Sequence, residues 1–212
     1  MVNPAKDGFL SEVVNYYTER LAQFGQTPKG VDWNGEEGQK LRFNQLCKIV
    51  SSTDHFSIND VGCGYGAFHD YLSSAYLSFA YMGVDIAADM IKAASARNQA
   101  NSRATFHLGS VPGEVADYGV ASGVFNVRLS RSDSEWQSYV EATIDTLHET
   151  SSSGFAFNCL TSYSDQDKKR DYLYYANPCQ LFDMCKRRYS RHVALIHDYG
   201  LYEFTILVRK SP

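Results

Sequence analysis

The sequence predicts one α/β domain, an open and mostly parallel sheet with helices on both faces, preceded by two extra helices. Three observations predict it. Segments of strand character alternate with segments of helical period from residue 56 onward, the order that gives a parallel sheet. A glycine-rich turn, Gly62-Cys63-Gly64-Tyr65-Gly66, follows the first strand segment and leads into a helical one. The last two strand segments, 192–197 and 202–208, are joined by a short loop containing Gly200 and read as an antiparallel hairpin.

Taken in order, residues 9–24 place Leu10, Val13, Val14, Tyr17, Leu21 and Phe24 on one helical stripe, closed by Gly25. A polar loop with Pro28, Gly30 and Gly35 follows, then a second helix over 36–50 with Leu41, Phe43, Leu46, Ile49 and Val50 apolar. These two helices form an N-terminal cap over residues 1–50, ahead of a core spanning 56–210. In the core, 56–61 reads as a strand, 67–75 as a helix, 79–86 as a strand and 88–98 as an Ala-rich helix. Residues 104–108 form a third strand and 118–121 a weak fourth. The S-x-x-Q pattern of Ser134 to Gln137 is a capping box opening a helix to His148. Residues 154–160 are a fifth strand, and Asn177-Pro178 supplies an N-cap and first-turn proline for a helix to Tyr189. No repeat, linker or low-complexity tract divides the chain, so residues 1–212 are expected to be one domain.

Composition narrows the function. A chain of 212 residues buries a core without staples. Its 44% hydrophobic and 21% charged residues are those of a globular protein. A net charge of -4 lacks the basic footprint of nucleic-acid binding. The five cysteines are scattered without zinc spacing, so no metal site is expected and reduced thiols are. Residues 1–4 lead into polar sequence without the apolar core of a signal peptide. No apolar run approaches the roughly 18 residues that span a bilayer. A cytoplasmic protein free of the membrane is expected; the sequence is silent on oligomeric state.

The glycine turn carries the chemistry. Glycines let a backbone turn tightly and approach a ligand that side chains would exclude, and open α/β sheets bind ligands at the carboxyl ends of their strands. Asp85 lies 19 residues after Gly66, at the end of the second strand, where a carboxylate can accept from a ribose diol. The spacing of Gly62, Gly64 and Ala67 also satisfies a dinucleotide fingerprint, which leaves a nicotinamide cofactor open on this ground alone.

Asp60-Val61-Gly62-Cys63-Gly64-Tyr65-Gly66 resembles the D/E-x-G-x-G-x-G signature of class I methyltransferases dependent on S-adenosylmethionine (SAM). Asp85-Ile86-Ala87-Ala88-Asp89-Met90-Ile91 resembles that family's D-x-S-x-x-M-I continuation, with alanine where serine is common. The resemblance covers residues 56–210. It implies a Rossmann-like seven-stranded sheet with an antiparallel last strand, which the hairpin suggests independently. It implies SAM as cofactor and S-adenosylhomocysteine (SAH) as product. By the same resemblance Asp60, Gly62, Cys63 and Gly64 belong to the cofactor-binding turn, Asp85, Ile86 and Met90 to the ribose and adenine side. The family often has an acid after the third strand to read adenine. Here Gly109-Ser110-Val111 stands instead, so Ser110 and Val111 are the candidates for that contact.

SAM is electrophilic without a metal, so the protein's task is to hold a nucleophile in line behind the methyl carbon. Ser122 and Gly123, at the end of the fourth strand, are expected beside the sulfonium. Residues 121–126 lack the Asn/Asp-Pro-Pro-aromatic motif of many amino-methyltransferases, which disfavours DNA bases as targets. Arg42 is a candidate partner for the cofactor's carboxylate, and Tyr16, Tyr17 and Trp33 for a lid. His197 and Asp198 are candidates for acid-base catalysis. The tyrosine-bearing stretch 163–175 is a natural place for substrate contacts, while Lys168-Lys169-Arg170 reads as a solvated face. The expected activity is methyl transfer to a small-molecule acceptor. Its rivals are a dehydrogenase using a nicotinamide cofactor and a SAM-binding protein without catalysis.

Overall fold

The computed structural model describes residues 8–51, 54–99 and 103–210. The reading of residues 1–4 therefore falls outside the described residues.

Two helices, α1 (Ser11–Phe24) and α2 (Glu36–Cys47), precede a seven-stranded sheet. The strands are β1 (Phe56–Val61), β2 (Phe79–Asp85), β3 (Ala104–Leu108), β4 (Ala116–Ala121), β5 (Ser151–Leu160), β6 (His192–Ile196) and β7 (Glu203–Arg209). The intervening helices are α3 (Ala67–Ala75), α4 (Ala88–Arg97), α5 (Asp133–Glu149) and α6 (Pro178–Arg188). Strand order is β3-β2-β1-β4-β5-β7-β6. The first five strands run parallel, while β7 enters antiparallel between β5 and β6. The expected seven-stranded sheet with its closing hairpin is the one observed.

The strand pleat sorts side chains into two cores. Phe155, Phe157 and Cys159 of β5 face a cluster with Trp136, Val140 and Ile144 of α5 and Leu181 and Cys185 of α6. Ala156, between them, faces the opposite cluster with Phe43 and Leu46 of α2 and Phe68 and Leu72 of α3. So α2 is no mere addition in front of the sheet. It covers the β5–β7 half of a face whose other half α3 covers, which draws Gln39, Arg42 and Gln45 into the interior with the apolar residues. Buried polar groups of this kind need partners. Arg42 finds one, described below.

Two local readings change. The cap of α5 is Ser132, whose Oγ accepts from Glu135 N (3.3 Å) while Glu135 Oε2 accepts from Ser132 N (3.0 Å). Ser134 had the same spacing to Gln137, but a carboxylate at the third helical position suits the positive end of the helix better than an amide. The fourth strand starts earlier than expected, at Ala116, and β3 reaches it through residues 109–115 without a helix. Seven extended residues reach about 24 Å, enough to run back along the sheet. The missing cover leaves Leu108, Val111 and Val115 at 63%, 58% and 64% exposure.

All five cysteines are free, with Cys47, Cys63, Cys159 and Cys185 buried and Cys179 exposed. Among the described residues no helix is long and apolar enough to cross a membrane, and no cluster of His, Cys, Asp and Glu could hold a metal ion.

Candidate active site

The turn after β1 closes on the end of β2. Val84 O accepts from both Gly62 N (2.8 Å) and Cys63 N (3.0 Å), which folds the chain back over the carboxyl edge of the sheet. Gly62 and Gly64 take φ of 75° and 55°, the left-handed region open to glycine. A Cβ on Gly62 would also stand 2.4 Å from Val124 Cγ2. The turn therefore requires glycine for conformation and for space.

Asp85 ties this turn to the next one. Its Oδ2 accepts from Gly64 N at 2.9 Å and its Oδ1 from Ala87 N at 2.9 Å. Burial raises its pKa, opposed by the backbone N–H groups of Ala87, Gly64 and Ile86. A carboxylate has lone pairs beyond these two bonds, and Asp85 lines the adjoining crevice.

That crevice has a volume of about 100 Å³, narrower than the roughly 300–1,000 Å³ usual for a small-ligand site. Of the candidate cofactor contacts, Gly62, Gly64, Asp85, Ile86, Met90, Ser110, Ser122 and Gly123 line it together. Of the three lid candidates, Tyr17 and Trp33 line it from the N-terminal segment. Tyr16 is turned instead to Asp32, donating to Oδ2 at 2.8 Å. Ser122 Oγ is buried with no partner among the described residues, a polar atom suited to a ligand.

The remaining candidates divide. Asp60 and Cys63 line a smaller adjoining pocket rather than the crevice. Asp60 is 1% exposed; Tyr81 Oη donates to its Oδ2 at 2.6 Å and its Oδ1 has no partner among the described residues. Burial lifts its pKa to about 7, against the lowering effect of Tyr81, with the nearby Asp85 adding to the rise. Val111 is exposed and lies outside the crevice, because the helix-free connection carries it away from the sheet.

Arg42 departs from expectation. Its Nε donates to Glu203 Oε1 (2.9 Å) and Oε2 (2.8 Å), and its Nη2 to Oε1 (2.7 Å). The guanidinium also stacks under Trp33, 3.7 Å from the ring centroid. A cation drawn into the interior by α2 has taken a protein carboxylate as partner, so it is committed to Glu203 rather than free for a ligand.

His197 and Asp198 are exposed and line neither the crevice nor its neighbours. His197 packs between the rings of Tyr163 and Phe204. The reason is topological: β6 is the edge strand, three strand spacings or about 14 Å from β4, where Ser122 and Gly123 sit. The geometry gives these two residues no catalytic place.

A second, larger cavity of about 540 Å³ shares Tyr17, Val31, Trp33 and Gly123 with the first. Its walls include Asn126, Tyr172, Tyr175 and Tyr202, together with Lys168 and Arg170. Lys168 and Arg170 of the basic run are exposed, as a solvated face would be, and they also border this cavity. Val13, Tyr139 and Thr143 were missed as crevice residues. Tyr139 and Thr143 are four apart on α5 and share a helical face, but nothing in their spacing says which face meets the site.

A family model described as a methyltransferase domain matches residues 58–152. The Mycobacterium tuberculosis protein Rv1506c, named as a methyltransferase, is 57% identical over 164 residues, covering 77% of this chain and 99% of that protein. Among solved structures, DhpI with SAH superposes at a TM-score of 0.68 with 13% identity, over 97% of this chain and 98% of that one. The N-methyltransferase NodS of Bradyrhizobium japonicum WM9 with SAH superposes at 0.67 with 16% identity, over 94% and 98%.

Proposed function

Because this chain belongs to the SAM-dependent methyltransferases of class I, we propose that it methylates a small-molecule acceptor held in the larger cavity, by direct transfer in line with the cofactor's sulfur. When bound, SAM supplies a methyl carbon already activated by a positively charged sulfur. The residues present fit that cofactor. Asp85 offers a carboxylate to a ribose diol, Asp60 an unpaired oxygen to the amino-acid end, and Ile86, Met90 and Ser110 a largely apolar bed for adenine. The glycine turn lets the backbone come close to the nucleoside without side chains in the way.

The observation that carries the reading is the junction of the two cavities at Gly123 and Trp33. A Cβ on Gly123 would stand 2.4 Å from Trp33 Cζ2, so ring and backbone are in close contact there. An acceptor in the larger cavity would meet the cofactor across this contact. No histidine borders either cavity, and the two bordering carboxylates of the larger one, Asp32 and Glu203, are each engaged by an arginine. Rate enhancement is then a matter of positioning and water exclusion, which supplies on the order of 7–11 kcal/mol in favourable cases.

Titration calorimetry with SAH, followed by a panel of metabolites with radiolabelled SAM, tests this. Submicromolar to micromolar SAH binding with label transferred to a low-molecular-weight product is expected. SAH binding with no transfer to any acceptor would instead indicate a SAM-binding protein without catalysis, and label appearing only in DNA, RNA or protein would overturn the small-molecule assignment.

A further inference from the structure

Resting on that placement of the acceptor, we propose that the acceptor carries an oxyanion, a carboxylate or a phosphate, bound by the guanidinium of Arg170 in the larger cavity.

All but one of the charges that border the cavity are paired. Asp32 accepts from Arg20 Nη2 at 2.6 Å and from Tyr16 Oη at 2.8 Å. Glu203 is held by Arg42 at 2.7 Å, and Lys168 Nζ lies 2.9 Å from Asp167 Oδ2. Arg170 is left over. Its Nη1 donates to the carbonyls of Asp167 (3.1 Å) and Lys169 (2.9 Å), and no carboxylate pairs with it among the described residues. Asp165, the other acid near this wall, accepts from Tyr202 Oη, and neither it nor Asp171 borders the cavity.

Position reinforces charge. The two carbonyls grip one edge of the guanidinium, and Arg170 N donates to Tyr175 Oη at 2.9 Å. The carbonyl bonds hold the head group of this exposed arginine through Nη1 and leave Nε and Nη2 unbonded among the described residues. A planar fork with free donors matches a carboxylate or phosphate, and preorganisation reduces the entropy lost on binding. The tyrosine-rich walls provide flat contact area for the acceptor's body. A cationic amine meets the opposite condition, since the unpaired charge here is positive.

The test uses tryptophan fluorescence of the full chain at saturating SAH, because Trp33 borders the cavity and the other tryptophan, Trp136, is fully buried. The probes are benzoate, phenyl phosphate, benzyl alcohol and benzylamine. At least one of the two acids is expected to bind about tenfold or more tightly than the alcohol, with the amine weakest; which acid wins distinguishes carboxylate from phosphate. Arg170→Gln is expected to abolish the preference, Arg170→Lys to restore part of it, and neither to change SAH affinity. Equal binding of acid and alcohol, no acid binding up to about 10 mM, or an acid preference untouched in Arg170→Gln would each overturn the proposal. Failure of SAH to bind would count against the cofactor site instead and is read separately.

Discussion

Arg42 Nη2 and Glu203 Oε1 stand 2.7 Å apart, and this pair closes a ring of contacts around the junction of the two cavities. Glu203 Oε2 accepts from Asn158 Nδ2 (2.8 Å), and Asn158 Oδ1 accepts from Gly123 N (2.8 Å). Gly123 touches Trp33, and Trp33 lies over Arg42. The ring joins α2, β5, β7 and the end of β4, and every polar member is buried. Removing one charge from a buried pair leaves the other uncompensated, at a cost of about 3–5 kcal/mol. Arg42→Met is expected to lower the melting temperature by roughly 10 °C. Glu203→Leu added to it is expected to recover a large part, since both charges are then gone. Differential scanning calorimetry of the single and double variants decides; equal melting temperatures for wild type and Arg42→Met would show the pair to be dispensable.

Asp60 makes stability depend on pH. Its folded pKa of about 7 lies above the usual carboxylate value of 3.8, so the folded state binds the extra proton between these limits. The sign follows: this contribution is full below about pH 4 and is lost as pH rises through 7. Asp60→Asn cannot ionise and retains an acceptor for Tyr81. It is expected to match wild type near pH 4 and to exceed it by up to about 4 kcal/mol at pH 8. Urea denaturation at several pH values would measure the difference, and a gap that shrinks with rising pH would contradict it.

Asp85 organises the turn through two backbone bonds and, in the function proposed above, has lone pairs left for the cofactor. Hydrogen bonds to a charged group contribute about 1.5–3 kcal/mol each. Asp85→Ala is therefore expected to weaken SAH binding by about 10–100-fold, and Asp85→Asn by less. Calorimetric titration reads this directly; undiminished affinity in Asp85→Ala would mean the ribose is held elsewhere.

His197 and Asp198 supply the opposite expectation. Both are exposed and outside the cavities, where substitutions have small effects. His197→Ala and Asp198→Asn should leave kcat/KM for the acceptor within about twofold, measured across pH 6–9. A loss of two orders of magnitude in either would return that residue to the mechanism.

Much of the crevice lining was legible in the sequence, because its signals are local. Gly62, Gly64, Asp85 and Gly123 sit at strand ends, and a parallel sheet gathers those ends on one edge. The acceptor side was less legible. The stretch 163–175 was recognised as a place for contacts, but the separate part of Arg170 in it depends on which carbonyls its neighbours turn toward it. Arg42 was identified as important for the wrong partner. Asn158 and Glu203, polar residues at the margins of apolar strands, carry a signal in hindsight, yet nothing in their spacing pairs them with residue 42.

The alternation of strands and helices, the glycine turn and the carboxylate at the end of β2 follow from the sequence itself, since periodicity and turn chemistry are local. Tertiary packing alone decided that α2 closes the β5–β7 face, that Arg42 spends its charge on Glu203, and that His197 is stranded on an edge. Those outcomes depend on distances between residues far apart in the chain. Side-chain spacing encodes a local period, whereas a buried charge takes whichever partner the completed fold brings within reach.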